Sequence, residues 1–385
     1  MDQIPFYSPP ITQAEIAAVT EALASGWLTM GHKVLEFEQA FARYTGSEHA
    51  VAVSSCTAAL HLALLVAGIG PQDEVITTPL TFCATAEAIE YCGATPVLAD
   101  IQPDTLNIAP EAIAARVTAR TKAILPVHYA GQACDMDEIR ALAAEHGLAV
   151  IEDAAHAAGS SYKGVRVGNL GEATAFSFYA TKNLTTGEGG MVTTNNAAWA
   201  DKMRLLRLHG MNRDAWQRYS AAGSWYYEVT DLGFKYNTTS FQAAMGCVQL
   251  ARLEELNQRR REICAQYDAA FAQVEAVQPL ALRPEREHSG HLYVLQIDNQ
   301  KSALNRDALI EALKAEGIGT SVHFIPLHYH PYYAQHHGWK RRDYPVAEEA
   351  FERILSLPLY PDMTDAQVEC VCRQVRAGVE GRLAK

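Results

Sequence analysis

An α/β fold is what this sequence predicts: a mostly parallel sheet covered by helices on both faces, followed by a smaller α+β domain. Three observations lead there. From Ala50 to about Val192, short apolar runs alternate with segments of helical spacing, the pattern of βαβ units. Those runs carry apolar residues on both faces, so both sides of the sheet are covered. Beyond about residue 250 the chain changes character and opens on a long charged helix.

Taken in order, "EIAAVTEALAS" and "VLEFEQAFARY" come first and read as amphipathic helices, with Phe37, Phe41 and Tyr44 on one face of the second. The strands follow as "HAVAVSS", "EVITTP", "TPVLADI", "KAILPVHYA", "LAVIEDAA", "ATAFSFYA" and "GMVTT". Between them lie helical stretches such as "TAALHLALLVAG" and "DMDEIRALAAEHG", the second ending on a glycine suited to a C-cap. We place the domain boundary near 250, giving a large domain at 1–250 with an N-terminal arm and a small one at 251–385. The small domain holds the helix "LEELNQRRREICAQYDAAFAQV", a strand at "HLYVLQID", a helix from about Ser302 to Glu316, the loop "HFIPLHYHPYY" and a last helix from about Asp365.

Composition narrows the function. With 385 residues, of which 49% are hydrophobic, the chain can build a sizeable core. A net charge of -12 argues against a nucleic-acid surface, which needs clustered Lys and Arg. The eight cysteines are scattered without a CxxC, which fits a reducing, cytoplasmic setting. "MDQIPFYSPP" has no signal-peptide pattern, and the longest apolar run is too short for a bilayer and contains His61, so no membrane association is expected.

Ligands of such sheets bind beyond the C-terminal ends of the strands, and three of those ends carry polar residues. In "SSCTAAL", Ser54, Ser55 and Thr57 follow a strand and open a helix; the free N–H groups and dipole there make either an anion site or an ordinary N-cap. In "VIEDAAHAAGSSYKG", Asp153 ends an apolar strand and His156 follows; a buried carboxylate there needs a cationic partner, structural or bound. In "FSFYATKNLTTGEGG", Lys182 stands after a strand as a phosphate ligand, a surface residue or an amine nucleophile. Together, an anion-binding helix start, a strand-end carboxylate and a post-strand amine match the three demands of pyridoxal phosphate: phosphate, ring nitrogen and aldehyde.

Seven blocks carry a resemblance: "SGWLTMGHKVLEFEQAF", "AVAVSSCTAALHLAL", "DEVITTPLTFCATAEAI", "PVHYAGQACDMDEI", "VIEDAAHAAGSSYKG", "FSFYATKNLTTGEGGMV" and "HFIPLHYHPYY". In them the chain resembles, over essentially its whole length, the DegT/DnrJ/EryC1/StrS family of nucleotide-sugar aminotransferases. That family has the fold type I architecture of the aspartate aminotransferase superfamily, with a seven-stranded large-domain sheet. The resemblance implies that Lys182 binds the aldehyde of pyridoxal phosphate as a Schiff base and later shuttles the proton. It implies that Asp153 pairs with the pyridine nitrogen and that Phe82 stacks on the ring. Thr57, the backbone at Ala58 and Ser177 would hold the phosphate, and His156 would lie beside the cofactor's hydroxyl. Ser177 can face the site if Phe176 and Phe178 face the opposite layer.

It further implies a homodimer whose active site is shared between subunits. Where many relatives carry an Asn-aromatic-Arg triplet, this chain has Lys235, Tyr236 and Asn237, so either Lys235 or Asn237 contacts the phosphate. The look of the segment is that of the branch making 4-amino-4-deoxy-arabinose for lipid A. "PVHYAG" and "TTGEGG" resemble enzymes that aminate C4 of a UDP- or dTDP-linked ketosugar, with glutamate as donor; C3 amination is the alternative. His323 and His328, with Tyr7 of the N-terminal arm, are the candidate substrate contacts. No metal is expected at His323, His328 and His330, because no carboxylate cluster accompanies them. Relatives that remove a sugar hydroxyl have a histidine in place of the lysine, and a non-catalytic nucleotide-sugar binder would not need Lys182, Asp153 and Thr57 together. A nicotinamide enzyme would need GxGxxG where the first strand ends in "SSCTAA".

Overall fold

The computed structural model of the chain describes residues 3–212 and 226–383. Nine strands are formed in its first half: β1 (His49–Val53), β2 (Glu74–Thr77), β3 (Thr95–Leu98), β4 (Thr121–Ile124), β5 (Ala149–Asp153), β6 (Ser161–Tyr162), β7 (Val165–Arg166), β8 (Ala173–Ser177) and β9 (Gly190–Thr194). Seven of them make one sheet in the order β1-β9-β8-β5-β4-β2-β3. Strands β8, β5, β4, β2 and β3 pair in parallel, while β9 is antiparallel to both its neighbours. The exception has a local cause. No helix separates β8 from β9, so the chain turns back directly onto the adjacent track, whereas a parallel partner requires a longer crossover.

Helices cover both faces. On one, helix 32–45 sets Phe37 and Phe41 against Phe176 and Phe178, with ring centroids 5.0 Å apart for Phe41 and Phe176 and 5.3 Å for Phe37 and Phe178. On the other, Leu60 and Leu62 of helix 56–66, Ile89 of helix 84–91 and Met203 of helix 197–206 pack on Val51, Val75 and Ile151. The alternation of β8 therefore places Phe176, with Phe178 just beyond the strand, on the first face and Ala175 on the second. Helix 136–146 ends at Gly147, whose left-handed φ of 66° suits a residue without a Cβ.

A second, antiparallel sheet orders β10 (Val277–Pro279), β12 (Tyr293–Ile297) and β13 (Ile354–Leu357) side by side, and β11 (Arg286–Glu287) reaches back to pair with β6. Helices 253–271, 306–315 and 365–379 pack on the second sheet to form a separate apolar cluster. Ile4 belongs to that cluster, and its N–H donates to the carbonyl of Gly317 at 2.9 Å. The first residues thus lie on the smaller layer, although the sequence grouped them with the large domain. Among the described residues no helix is long and apolar enough to cross a membrane.

Candidate active site

The C-terminal ends of β1, β5 and β8 converge on a cavity of about 340 Å³, closed from the other side by the arm and the second layer. Close backbone approach shapes its floor: a Cβ on Gly190 would stand 2.5 Å from the carbonyl of Ser55, so only glycine lets β9 start beside the turn after β1. From that turn springs helix 56–66, whose first N–H groups have no partner within the helix. Thr57 lines the cavity there, and so does Ser177 across from it.

Asp153 ends β5 and is 5% exposed. Its carboxylate accepts hydrogen bonds from the Thr85 hydroxyl at 2.8 Å and the Ala155 N–H at 3.0 Å. Burial pushes its pKa up against the pull of those two donors and of the Lys182 charge. Among the described residues it makes no ion pair: two neutral donors hold the carboxylate at the cavity, and the Lys182 amine acts on it only from a distance.

Lys182 lies on the loop between β8 and β9. The walls desolvate its amine and bring the pKa down to about 8, against the opposing attraction of Cys56 and Asp153. Beside it stand three imidazoles. His156 and His291 are held well below the usual range by burial and then by the Lys182 charge, and His323 is lowered to about 4 for the same reasons. The Nδ1 of His156 is buried without a hydrogen-bond partner. Phe82 is 60% exposed, tilted against Phe324 with centroids 6.1 Å apart, and presents its ring to the cavity rather than to the core.

Not every expected residue is brought here. Ala58 is buried outside the lining, and its N–H already donates to the Ser55 hydroxyl at 3.1 Å as part of the N-cap. Lys235 and Asn237 do not line the cavity of the single chain. Tyr236 between them turns inward, stacking on Phe234 and meeting His61 Nδ1 at 3.1 Å, and its two neighbours are set away from that packing. His328 also lies elsewhere: it is buried and held to Glu348 at 3.2 Å, across a packed Tyr344 ring. Tyr7 reaches the cavity wall, yet its hydroxyl donates to the Lys182 carbonyl at 3.2 Å and so braces the loop. Among the described residues no three His, Cys, Asp or Glu side chains are grouped to hold a metal.

Sequence reasoning missed Thr85, His291, Phe324 and Glu188, all of which line the cavity. Thr85 was legible only as part of "TFCATAEAI", and His291 precedes a strand without any motif of its own.

The residues present fit pyridoxal phosphate. A partnerless buried imidazole nitrogen, a carboxylate without an ion-pair partner, an amine near 8 and the start of a helix are the set that group requires. Comparisons with known proteins agree. A family model described as the DegT/DnrJ/EryC1/StrS aminotransferase family matches residues 9–376. The spore coat polysaccharide biosynthesis protein SpsC of Bacillus subtilis is 55% identical over 379 residues, 98% of this chain and 97% of the relative. Spr1654 of Streptococcus pneumoniae, provisionally described as a sugar aminotransferase and solved in PLP- and PMP-forms, is 35% identical; its PLP-form superposes with a TM-score of 0.92 over all of both chains. PseC of Helicobacter pylori, an aminotransferase involved in pseudoaminic acid biosynthesis, is 31% identical, with a TM-score of 0.92 over 99% of this chain and 100% of its own.

Proposed function

We propose that this chain, which belongs to the DegT/DnrJ/EryC1/StrS aminotransferase family and is a pyridoxal phosphate-dependent sugar aminotransferase, moves the amino group of glutamate to the C4 keto group of a UDP- or dTDP-linked sugar. The observation that carries the reading is the presence in one cavity of an amine lowered to about 8 and a buried carboxylate that makes no ion pair.

Pyridoxal phosphate, when bound, supplies an aldehyde that takes the amino group and a ring that withdraws electrons from the broken C–H bond. Lys182, neutral in a sizeable fraction of molecules near pH 7 to 8, accepts the proton leaving Cα of the donor and later returns it. Asp153, oriented by Thr85 and the Ala155 N–H, would hold the ring nitrogen in its protonated form. His156 is positioned to meet a polar group with its partnerless Nδ1. Thr57, Ser177 and the start of helix 56–66 bind the phosphate, and the open face of Phe82 supports the ring and helps exclude water.

The C4 assignment rests on "PVHYAG" and "TTGEGG", and the likeness to the 4-amino-4-deoxy-arabinose branch rests on residues 235–237. SpsC is a spore coat polysaccharide biosynthesis protein and PseC acts in pseudoaminic acid biosynthesis. Exposed Leu232 and Val229, a few residues before the 235–237 segment, support a second copy packed against this chain, with Lys235 or Asn237 delivered to its partner's phosphate. Incubation with glutamate and a panel of nucleotide-linked 3- and 4-ketosugars, read by mass spectrometry, tests the assignment: amination of 4-ketosugars supports it, and amination of 3-ketosugars alone overturns the C4 part.

A further inference from the structure

His291 enters the cavity from the short segment before β12, and a chain of amides fixes its hydrogen. The Asn257 amide donates through Nδ2 to the carbonyl of Ala158 at 2.9 Å, which leaves its Oδ1 as an acceptor. Asn183 donates through Nδ2 to that Oδ1 at 2.7 Å and to the carbonyl of Ser289 at 2.8 Å. Two main-chain carbonyls thus set both amide orientations, because neither carbonyl can be served by an amide oxygen. Asn183 Oδ1 then faces His291 Nδ1 at 2.8 Å, so the proton of the ring resides on Nδ1.

A neutral imidazole with hydrogen on Nδ1 has only a lone pair on Nε2. Burial and the charges of Lys182 and Arg260, with His323 close by, disfavour a second proton. The His156 ring lies beside it at 4.3 Å between centroids and 34° between planes, a face contact that makes no hydrogen bond to Nε2. A lone pair facing a ligand selects a donor. The carboxylates of an amino donor and the oxygens of a phosphate offer only lone pairs, and the donor's amino group is engaged by the aldehyde, whereas a sugar offers hydroxyls that remain free to donate.

We propose that His291 determines acceptor specificity: its Nε2, kept as a lone-pair acceptor by Asn183 and Asn257, receives a hydrogen bond from a hydroxyl of the ketosugar. Asn183 and Asn257 act through it as positioning residues. This rests on the reading of the cavity as the ketosugar site.

Two readouts on the holoenzyme test it. With ring-¹⁵N-labelled histidine, and His291→Phe to assign the signal, long-range ¹H–¹⁵N correlation should show the neutral Nδ1–H tautomer; in Asn183→Leu the preference should be lost. With UDP-4-keto-6-deoxyhexose as the acceptor probe, His291→Phe should raise KM roughly tenfold while leaving the single-turnover rate with glutamate within about twofold. His291→Gln, whose amide oxygen still accepts, should recover part of that KM. An Nε2–H tautomer in the wild type, or equal losses in both half-reactions, overturns the proposal. If the wild-type enzyme aminates no ketosugar, the substrate reading fails instead, and the tautomer spectrum still decides whether Nε2 carries a lone pair.

Discussion

Lys182 works as a base only if it can shed its proton close to physiological pH, and its surroundings are built for that. An ordinary lysine is almost wholly charged at pH 7; desolvation in this cavity brings the value to about 8. Only the neutral amine attacks an aldehyde, so the rate at which apoprotein captures pyridoxal phosphate should rise with pH and level off above about 8, as stopped-flow absorbance would show. A plateau displaced to near 10 would mean that the amine is solvated. Asp153→Asn keeps the shape and removes the charge; activity should fall by about 10²–10³-fold with the fold unchanged by circular dichroism. Asp153 and Lys182 were legible as candidates because the one ends a strand and the other follows one, each inside a recognisable block. His291, Asn183 and Asn257 were not, since their roles come from hydrogen bonds across 74 to 108 residues of chain that no local spacing encodes. The phosphate role expected of Ala58 met a competing partner, because Ser55 caps the helix through the same N–H.

At the scale of elements, the buried pair of Glu38 and Arg207 joins helix 32–45 to the end of helix 197–206, and both side chains also bind the backbone of Ala52 in β1. This contact steadies the first strand, from which the turn at Ser55 departs. Glu38→Ala strands a guanidinium that is 1% exposed and should cost about 3–5 kcal/mol in urea denaturation. The double variant Glu38→Leu with Arg207→Met should cost less than the sum of the two single changes, because no charge is left unpaired although the Ala52 N–H and carbonyl lose these partners. The long strands and helices were readable from apolar runs and caps, as with helix 136–146 and Gly147. The two-residue strands β6, β7 and β11 were beyond such reading, as they hold no periodicity and exist only through their pairing. The antiparallel course of β9 depends on the loop that carries Lys182, whose length and direction are set in three dimensions.

Across the whole molecule, a single chain leaves apolar groups in water: Leu232 is 90% exposed and Val229 64%. A second copy would cover them and bring residues 235–237 to the site they miss here. Light scattering should give about twice 42.1 kDa, and Leu232→Glu should shift the mass toward the monomer and lower activity in parallel. The mostly parallel sheet covered by helices could be anticipated from the chain alone, whereas the N-terminal arm's docking on the smaller layer could not, because Ile4, Phe6 and Tyr7 meet partners that are distant in sequence. The most direct test of the central claim is the absorbance of the purified holoenzyme before and after excess glutamate, with Lys182→Ala in parallel. The account predicts that the visible band of the aldehyde form gives way to the near-ultraviolet band of the amine form, that added ketosugar restores it, and that the variant does neither at a comparable rate. An unchanged visible band in the wild type, or full conversion in Lys182→Ala, would contradict it.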